Sequence, residues 1–167
     1  SGQPAVIGMR IIESDRVCRL LPGDLKQDST EISRRRLAGY MDAAEESGVS
    51  IPAEKVWHIP VNNPESAEIA AREMLTMSPR PDAVLCMSDV IALAVIRMAQ
   101  AMGLRVPGDI RVVGFDDIPE ASRVSPGLTT ICQQSREKGR LATKRLLAGD
   151  VSGNSELKTR LIARGSG

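Results

Sequence analysis

The fold class of this chain is indicated most clearly by residues 82–115, DAVLCMSDVIALAVIRMAQAMGLRVPGDIRVVGF. This stretch begins with an almost continuously apolar segment, 82–87, and ends with a second one, 110–115. Between them apolar residues recur at helical spacing, with Ser88 placed to cap the helix and Gly103 to end it. The order strand, helix, strand predicts two parallel strands, because a crossover helix is the usual connection between parallel neighbours.

The same alternation of strands and helices continues through the rest of the chain. Further strands are predicted over residues 5–11, 55–60, 128–132 and 159–164. Further helices are predicted over residues 31–47, 64–75 and 134–148, the first with an approximate capping box formed by Asp28 and Glu31. We therefore expect an α/β fold: a doubly wound, mainly parallel sheet with helices on both faces, in a single domain over 1–167.

The composition and net charge argue against several classes of function for these residues. Lysine and arginine number 22 against 21 acidic residues, for a net charge of +1, so we do not expect these residues to contact DNA. Cys18, Cys86 and Cys132 are scattered and form no C-x-x-C pair, which argues against a disulfide framework or a zinc site and favours a reducing cytoplasm. The sequence shows neither a signal peptide nor an apolar stretch long enough to span a membrane.

Polar residues follow several predicted strands, at the end where a parallel α/β sheet binds its ligands. These residues are Asn62, Asn63, Ser88, Asp89, Asp116 and Asp117, and the run Arg34–Arg36 begins a helix near the same edge. Helix capping explains Asn63 and Ser88 better than ligand contact does, and a solvated face is the plain alternative for Arg34 and Arg35. Asp116 is harder to explain structurally, because it ends a strand predicted to be buried.

Catalytic motifs do not appear in the sequence. His58 is the only histidine and lies inside a predicted strand, and there is no G-x-S-x-G, P-loop, G-x-G-x-x-G or H-E-x-x-H motif. Adjacent Asp116 and Asp117 would point to opposite sides of a strand, which disfavours a magnesium-dependent phosphotransfer site. We therefore expect no catalysis, no bound metal and no cofactor.

Three segments carry a family resemblance: RRRLAGY (34–40), residues 81–117 and SPGLTTICQ (125–133). Together they resemble the effector-binding core of the LacI/GalR family of bacterial transcription regulators, and the ending TRLIARGS (159–166) looks like that family's closing strand. The resemblance is poor over residues 1–29. It implies a type I periplasmic-binding-protein-like, C-terminal subdomain. The DNA-binding headpiece would be absent, and the helix within 133–149 would belong to the absent N-terminal subdomain.

The resemblance also implies roles for individual residues. Asp116 matches the aspartate that accepts hydrogen bonds from effector hydroxyls, and Arg36 matches the arginine opposite it. Ser88 or Asp89 matches a polar position that touches the effector, and Asn62 matches a position that is often a stacking aromatic. A carboxylate and a guanidinium together suit a polyol, so the implied effector is a sugar or sugar derivative.

A homodimer is the implied assembly, since the family dimerises through this subdomain. The positions that match its interface are Leu93, Ile96, Ile118 and Val124, which would form an apolar patch between subunits. Core packing is the alternative for Leu93, and a simple loop is the alternative for Val124. The implied protein is a cytoplasmic regulator that contacts DNA through its headpiece. The main alternative is a periplasmic sugar-binding protein of a transport system, which has the same fold.

Overall fold

The computed structural model describes residues 3–26, 32–150 and 152–167. The strands are β1 (Ala5–Met9), β2 (Cys18–Arg19), β3 (Val56–Ile59), β4 (Ala83–Cys86), β5 (Arg111–Asp116), β6 (Thr129–Cys132) and β7 (Arg160–Ile162). The α-helices are α1 (Ile32–Glu46), α2 (Pro64–Leu75), α3 (Asp89–Ala101) and α4 (Ser135–Leu147). Short 3-10 turns occupy Pro22–Lys26, Ala53–Lys55 and Pro119–Ser122. The predicted capping box at Asp28 and Glu31 lies outside the described residues.

The strands form one seven-stranded sheet in the order β2-β3-β1-β4-β5-β6-β7. The five central strands are parallel, and the short strands β2 and β7 close the two edges in antiparallel pairings. The predicted mainly parallel sheet is therefore confirmed. Strand β2 was not predicted, because two residues are too few to show a pattern in the sequence.

Helices cover both faces of the sheet, and each face has its own apolar core. Ile7 and Trp57 point to the face where α2 and α3 pack side by side. Val6 and Val56, their neighbours along β1 and β3, point to the face covered by α1. This alternation explains why the central strands read as continuous apolar runs in the sequence. Cys86 is fully buried in the first of these cores, as expected for a small apolar side chain.

The helix α4 differs from the other three, because none of its side chains is buried. Leu146 and Leu147 near its end are 67% and 82% exposed. Gln134 enters the helix with φ at 55°, in the left-handed region, and its side-chain Nε2 donates to the carbonyl of Lys158 at 2.5 Å. The segments that lead into α4 and back from it are thus tied together at the carboxyl edge of β6. Within the described residues, no helix is long and apolar enough to cross a membrane.

The C-terminal segment after β7 returns across the strands and fastens β5 to β6. The Ser166 hydroxyl donates to the carbonyl of Val112 at 2.6 Å and accepts from the amide of Thr129 at 2.9 Å. The Arg164 amide donates to the Thr129 hydroxyl at 2.9 Å. This segment therefore holds the two strands whose carboxyl ends carry Asp116 and Gln133.

Candidate functional site

Two consecutive non-glycine residues with positive φ lie where β5 ends. Asp116 has φ at 117° and Asp117 has φ at 57°. Positive φ is uncommon for residues other than glycine, and a strained conformation persists only when its surroundings hold it in place. Such strain is found preferentially at functional sites. The turn that follows β5 is therefore a candidate ligand site.

Two side chains, the buried Asp89 and the partly buried Arg164, hold this turn in place through hydrogen bonds. The Asp89 carboxylate accepts from the amide of Ile118 at 2.9 Å. The Arg164 guanidinium donates to Asp117 Oδ1 at 2.8 Å and to the carbonyl of Leu128 at 2.8 Å. Asp117 is thus an anchor for the turn.

Asp116 itself is half-buried at the carboxyl edge of the sheet. Its Oδ1 accepts from Gln133 Nε2 at 2.5 Å, and no group among the described residues donates to its Oδ2. Burial raises the pKa of Asp116 above its ordinary value, while the Gln133 hydrogen bond and the nearby positive charge of Arg36 act in the opposite direction. The side chain therefore combines a fixed orientation with one acceptor oxygen that is left for a ligand.

Arg36 lies at the same edge, where α1 brings it over the ends of β4 and β5. Its Nη1 donates to the carbonyl of Met87 at 2.7 Å, and its guanidinium stacks on the Phe115 ring, 3.8 Å from the ring centroid. The stacking fixes the plane of the guanidinium and leaves further N–H donors for a ligand. Asp116 and Arg36, the two residues expected to face the effector, are close enough for the charge of one to act on the other.

Ser88 and Asn62 come together at the neighbouring strand ends. The Ser88 hydroxyl donates to Asn62 Oδ1 at 2.7 Å and accepts from the amide of Ile91 at 3.2 Å. Ser88 is the N-cap of α3 and is only 1% exposed, whereas Asn62 is the exposed member of the pair. Asn63 caps α2 through the amide of Ser66, as expected.

Asp89 lies beneath the carboxyl edge of the sheet and is not exposed there, although the resemblance implied that Ser88 or Asp89 contacts the effector. Its side chain is fully buried, and its Oδ1 accepts from the Thr130 hydroxyl at 2.5 Å while Oδ2 accepts from Ile118. Both oxygens are thus occupied by the protein. The reason is the absence of a side chain at Gly114, which lets the carboxylate enter the space between α3 and β5. Asp89 supports the site and does not present a surface to a ligand.

Two of the four residues predicted for a subunit interface are buried in the core. Ile96 is fully buried and packs inside the core between α3 and the sheet, so it has no surface to offer a partner. This prediction was wrong for Ile96, because the inner face of α3 is broader than its spacing indicated. Leu93 is 8% exposed, which fits the alternative of core packing. Ile118 and Val124 are partly buried against the same core and keep some exposed surface.

His58 is a structural residue in a fully buried position. Its Nδ1 accepts from the amides of Ile11 at 3.1 Å and Ile12 at 3.3 Å. An accepting Nδ1 requires the proton on Nε2, which lies 3.1 Å from the carbonyl of Ser14 and donates to it. The imidazole is therefore neutral and fastens the loop after β1, and burial lowers its pKa below the ordinary 6.5.

This arrangement predicts a pH dependence of stability. Well above pH 6.5 the histidine is neutral in both the folded and the unfolded chain, so its contribution is constant. As the pH falls below that value, the unfolded chain takes up a proton that the folded chain resists, and the free energy of unfolding decreases by up to about 1.4 kcal/mol per pH unit. The decrease ends below the lowered pKa of the folded state. Urea denaturation of the wild type and of His58→Gln between pH 4 and pH 8 checks this, since parallel curves for the two proteins would contradict it.

The structure adds residues to the site that the sequence analysis did not single out. Gln133 contacts Asp116, Phe115 supports Arg36, and Arg164 anchors Asp117. Gln133 directly follows β6, so the rule that ligands bind at strand ends would have found it had it been applied to that strand. Across the described ranges, no group of three or more histidine, cysteine or acidic side chains is placed to hold a metal ion.

Comparison with known proteins places this chain in a family. A family model described as a periplasmic binding protein-like domain matches residues 17–166. The ribose operon repressor of Haemophilus influenzae is 34% identical over 144 residues, covering 86% of this chain and 42% of the repressor. The HTH-type transcriptional repressor PurR of Klebsiella pneumoniae is 36% identical over 168 residues, covering 96% of this chain and 48% of the repressor. The chain thus spans less than half the length of these two relatives.

A solved structure gives the same result in three dimensions. The LacI-type transcription regulator from Bifidobacterium animalis subsp. lactis matches 98% of this chain and 58% of its own length, with a TM-score of 0.80 and 28% identity. Both curated relatives are named as repressors, one of an operon and one of transcription. These matches confirm the resemblance to LacI-type regulators, and the chain belongs to the family of periplasmic binding protein-like domains.

Proposed function

We propose that this chain is the ligand-sensing part of a LacI-type transcription repressor and that Asp116 and Arg36 bind its effector. The observation that carries the proposal is the strained Asp116 at the end of β5, with Arg36 beside it and one carboxylate oxygen to which no group of the described residues donates. An anchored carboxylate and an oriented guanidinium form a site for a small polar molecule. The resemblance to transcription repressors supports this role over transport.

The chemistry of the edge favours a polyol, such as a sugar or a sugar derivative. The Asp116 carboxylate accepts hydroxyl protons, and the Arg36 guanidinium donates to hydroxyl oxygens. Asn62 adds an exposed amide without an aromatic face, so the ligand would be held by hydrogen bonds at this position and not by stacking. The name of the ribose operon repressor agrees with a sugar effector but does not identify the one used here.

In this proposal the second half of the site comes from another subdomain, on which α4 packs. The lack of any buried side chain in α4 supports such a contact. Effector binding would favour one relative orientation of the two subdomains, and this preference would shift a cytoplasmic homodimer between states that differ in affinity for DNA. DNA would be contacted by a headpiece outside residues 1–167. Exposed parts of Ile118 and Val124 are candidates for the dimer contact.

The test is thermal unfolding of the full-length gene product with a panel of pentoses, hexoses, disaccharides and small organic acids. A ligand at a hundred times its dissociation constant stabilises the folded state by about 2.7 kcal/mol. We expect one polyol to raise the Tm of the wild type and to have no effect on Asp116→Ala. The control is Asp15→Ala, since Asp15 is an exposed carboxylate with a 96% exposed side chain. An acid as the ligand, or a polyol that binds Asp116→Ala equally well, would contradict the assignment.

A further inference from the structure

Gln133 occupies a position between the proposed ligand-binding carboxylate and a helix that is not packed on the sheet. In the pairing of β5 with β6, Asp116 stands opposite Cys132, so Gln133 is the next residue along the edge. Its Nε2 donates to Asp116 Oδ1 at 2.5 Å, and its own side chain is partly buried. This hydrogen bond fixes the direction in which the carboxylate can approach a ligand.

The other end of the same amide is bound by α4. Lys138 Nζ, in the first turn of that helix, donates to Gln133 Oε1 at 3.3 Å. The amide of Gln133 therefore connects α4 to Asp116 through two consecutive hydrogen bonds. A change in the orientation of α4 relative to the sheet would act on this connection first, because α4 has no buried side chain to hold it in place.

The charged and titratable groups around Asp116 come from three helices. Arg36 and Tyr40 face it from α1, Asp89 from the start of α3 and Lys138 from α4. Arg36 is fixed by Met87 and Phe115, and Asp89 is fixed by Thr130 and Ile118. The connection through Gln133 to Lys138 is the contact with Asp116 that depends on the placement of α4.

We propose that Gln133 is a positioning residue that orients Asp116 for the effector and, through Lys138, ties this carboxylate to α4. The role in effector binding rests on the proposed function, whereas the connection itself does not. Since α4 is expected to pack on the second subdomain, closure around a ligand and the orientation of Asp116 would be coupled. Such coupling is reciprocal: whatever moves α4 changes the affinity for the effector, and the effector changes the preferred position of α4.

The experiment measures the titration of the Asp116 side-chain carboxyl by carbon-13 NMR in the 167-residue chain, without any ligand. The signal is assigned by its disappearance in Asp116→Asn. In Gln133→Met, which keeps the length of the side chain and removes its amide, we expect the pKa of Asp116 to rise by about one pH unit, because a hydrogen bond to the ionised form is lost. In Lys138→Met we expect a smaller rise in the same direction. Gln100→Met is the matched control: its amide donates to the carbonyl of Ser125 at 2.7 Å, near the far end of α3.

An Asp116 titration in Gln133→Met that equals that of the wild type, with unchanged circular dichroism and Tm, would overturn the proposal. An unchanged titration in Lys138→Met would overturn the connection to α4. If Gln133→Met does not fold, Gln133→Asn is the substitute, since its amide is one methylene too short to reach Asp116. If the pKa of Asp116 shifts in Gln133→Met but no compound of the thermal-unfolding panel raises the Tm, the positioning role stands and the proposed function is rejected. The failure of the positioning role and the failure of the proposed function are therefore distinguishable.

Discussion

Replacing Gly114 by alanine is expected to lower the free energy of unfolding by about 3–5 kcal/mol, the sum of overpacking and a disrupted hydrogen bond to a buried charge. A Cβ at this position would lie 2.2 Å from Asp89 Oδ1 and 3.0 Å from Leu128 Cδ2. The carboxylate cannot give way easily, because its two oxygens are bound by Thr130 and Ile118. Urea denaturation measures the effect directly.

Gly39→Ala provides a matched control with the opposite sign. Gly39 lies in the interior of α1, and a Cβ there would meet nothing within 4 Å. Alanine is favoured over glycine inside a helix, so this variant should be stabilised by about 0.5–1 kcal/mol. A Gly114→Ala variant as stable as the wild type would contradict the packing described for Asp89.

The second large effect is expected for Asp89→Ala, with a loss of about 2–5 kcal/mol. The substitution leaves the Thr130 hydroxyl and the Ile118 amide without their acceptor in a buried place, and each unpaired group adds its own cost. Asp89→Asn keeps one acceptor oxygen and should lose less. A loss for Asp89→Ala below that of an ordinary surface substitution would show that the carboxylate does not support the turn.

The two substitutions should also be strongly non-additive. In the Asp89→Ala background the oxygen nearest to the new Cβ at Gly114 is gone, so Gly114→Ala should then cost far less than it does in the wild type. Equal costs in the two backgrounds would mean that the clash lies elsewhere, for example with Leu128. This double-mutant cycle therefore tests the specific contact and not only the crowding of the site.

The order of strands and helices could be predicted from the sequence because it depends on local patterns. Residues 82–115 combine two apolar strands with a capped helix, and each signal is complete within a few neighbouring residues. The rule that ligands bind where parallel strands end predicted that Asp116, Ser88 and Asn62 lie at one edge of the sheet. The structure places them at that edge. Asp28 and Glu31 fall outside the described residues, so their capping role stays a prediction.

The features that could not be predicted from the sequence depend on tertiary contacts. Asp89 has the sequence signature of a helix start, yet its burial depends on Thr130 and on the missing side chain of Gly114, which are distant in the chain. Arg164 anchors Asp117 across 47 residues. Ile96 has the same apolar character whether it faces the core or a partner subunit, and only the packing of α3 decides between them.

We propose that the Asp116 carboxylate accepts a hydrogen bond from an effector hydroxyl. The most direct measurement is isothermal titration calorimetry of the full-length protein with the sugar found in the panel and with its deoxy analogues, for the wild type and for Asp116→Ala. We predict that one deoxy analogue binds the wild type about 10-fold or more weaker than the parent sugar, while the variant binds both with nearly the same low affinity. Equal discrimination between sugar and analogue by the two proteins would contradict the claim, because the lost hydroxyl would then be bound by another residue.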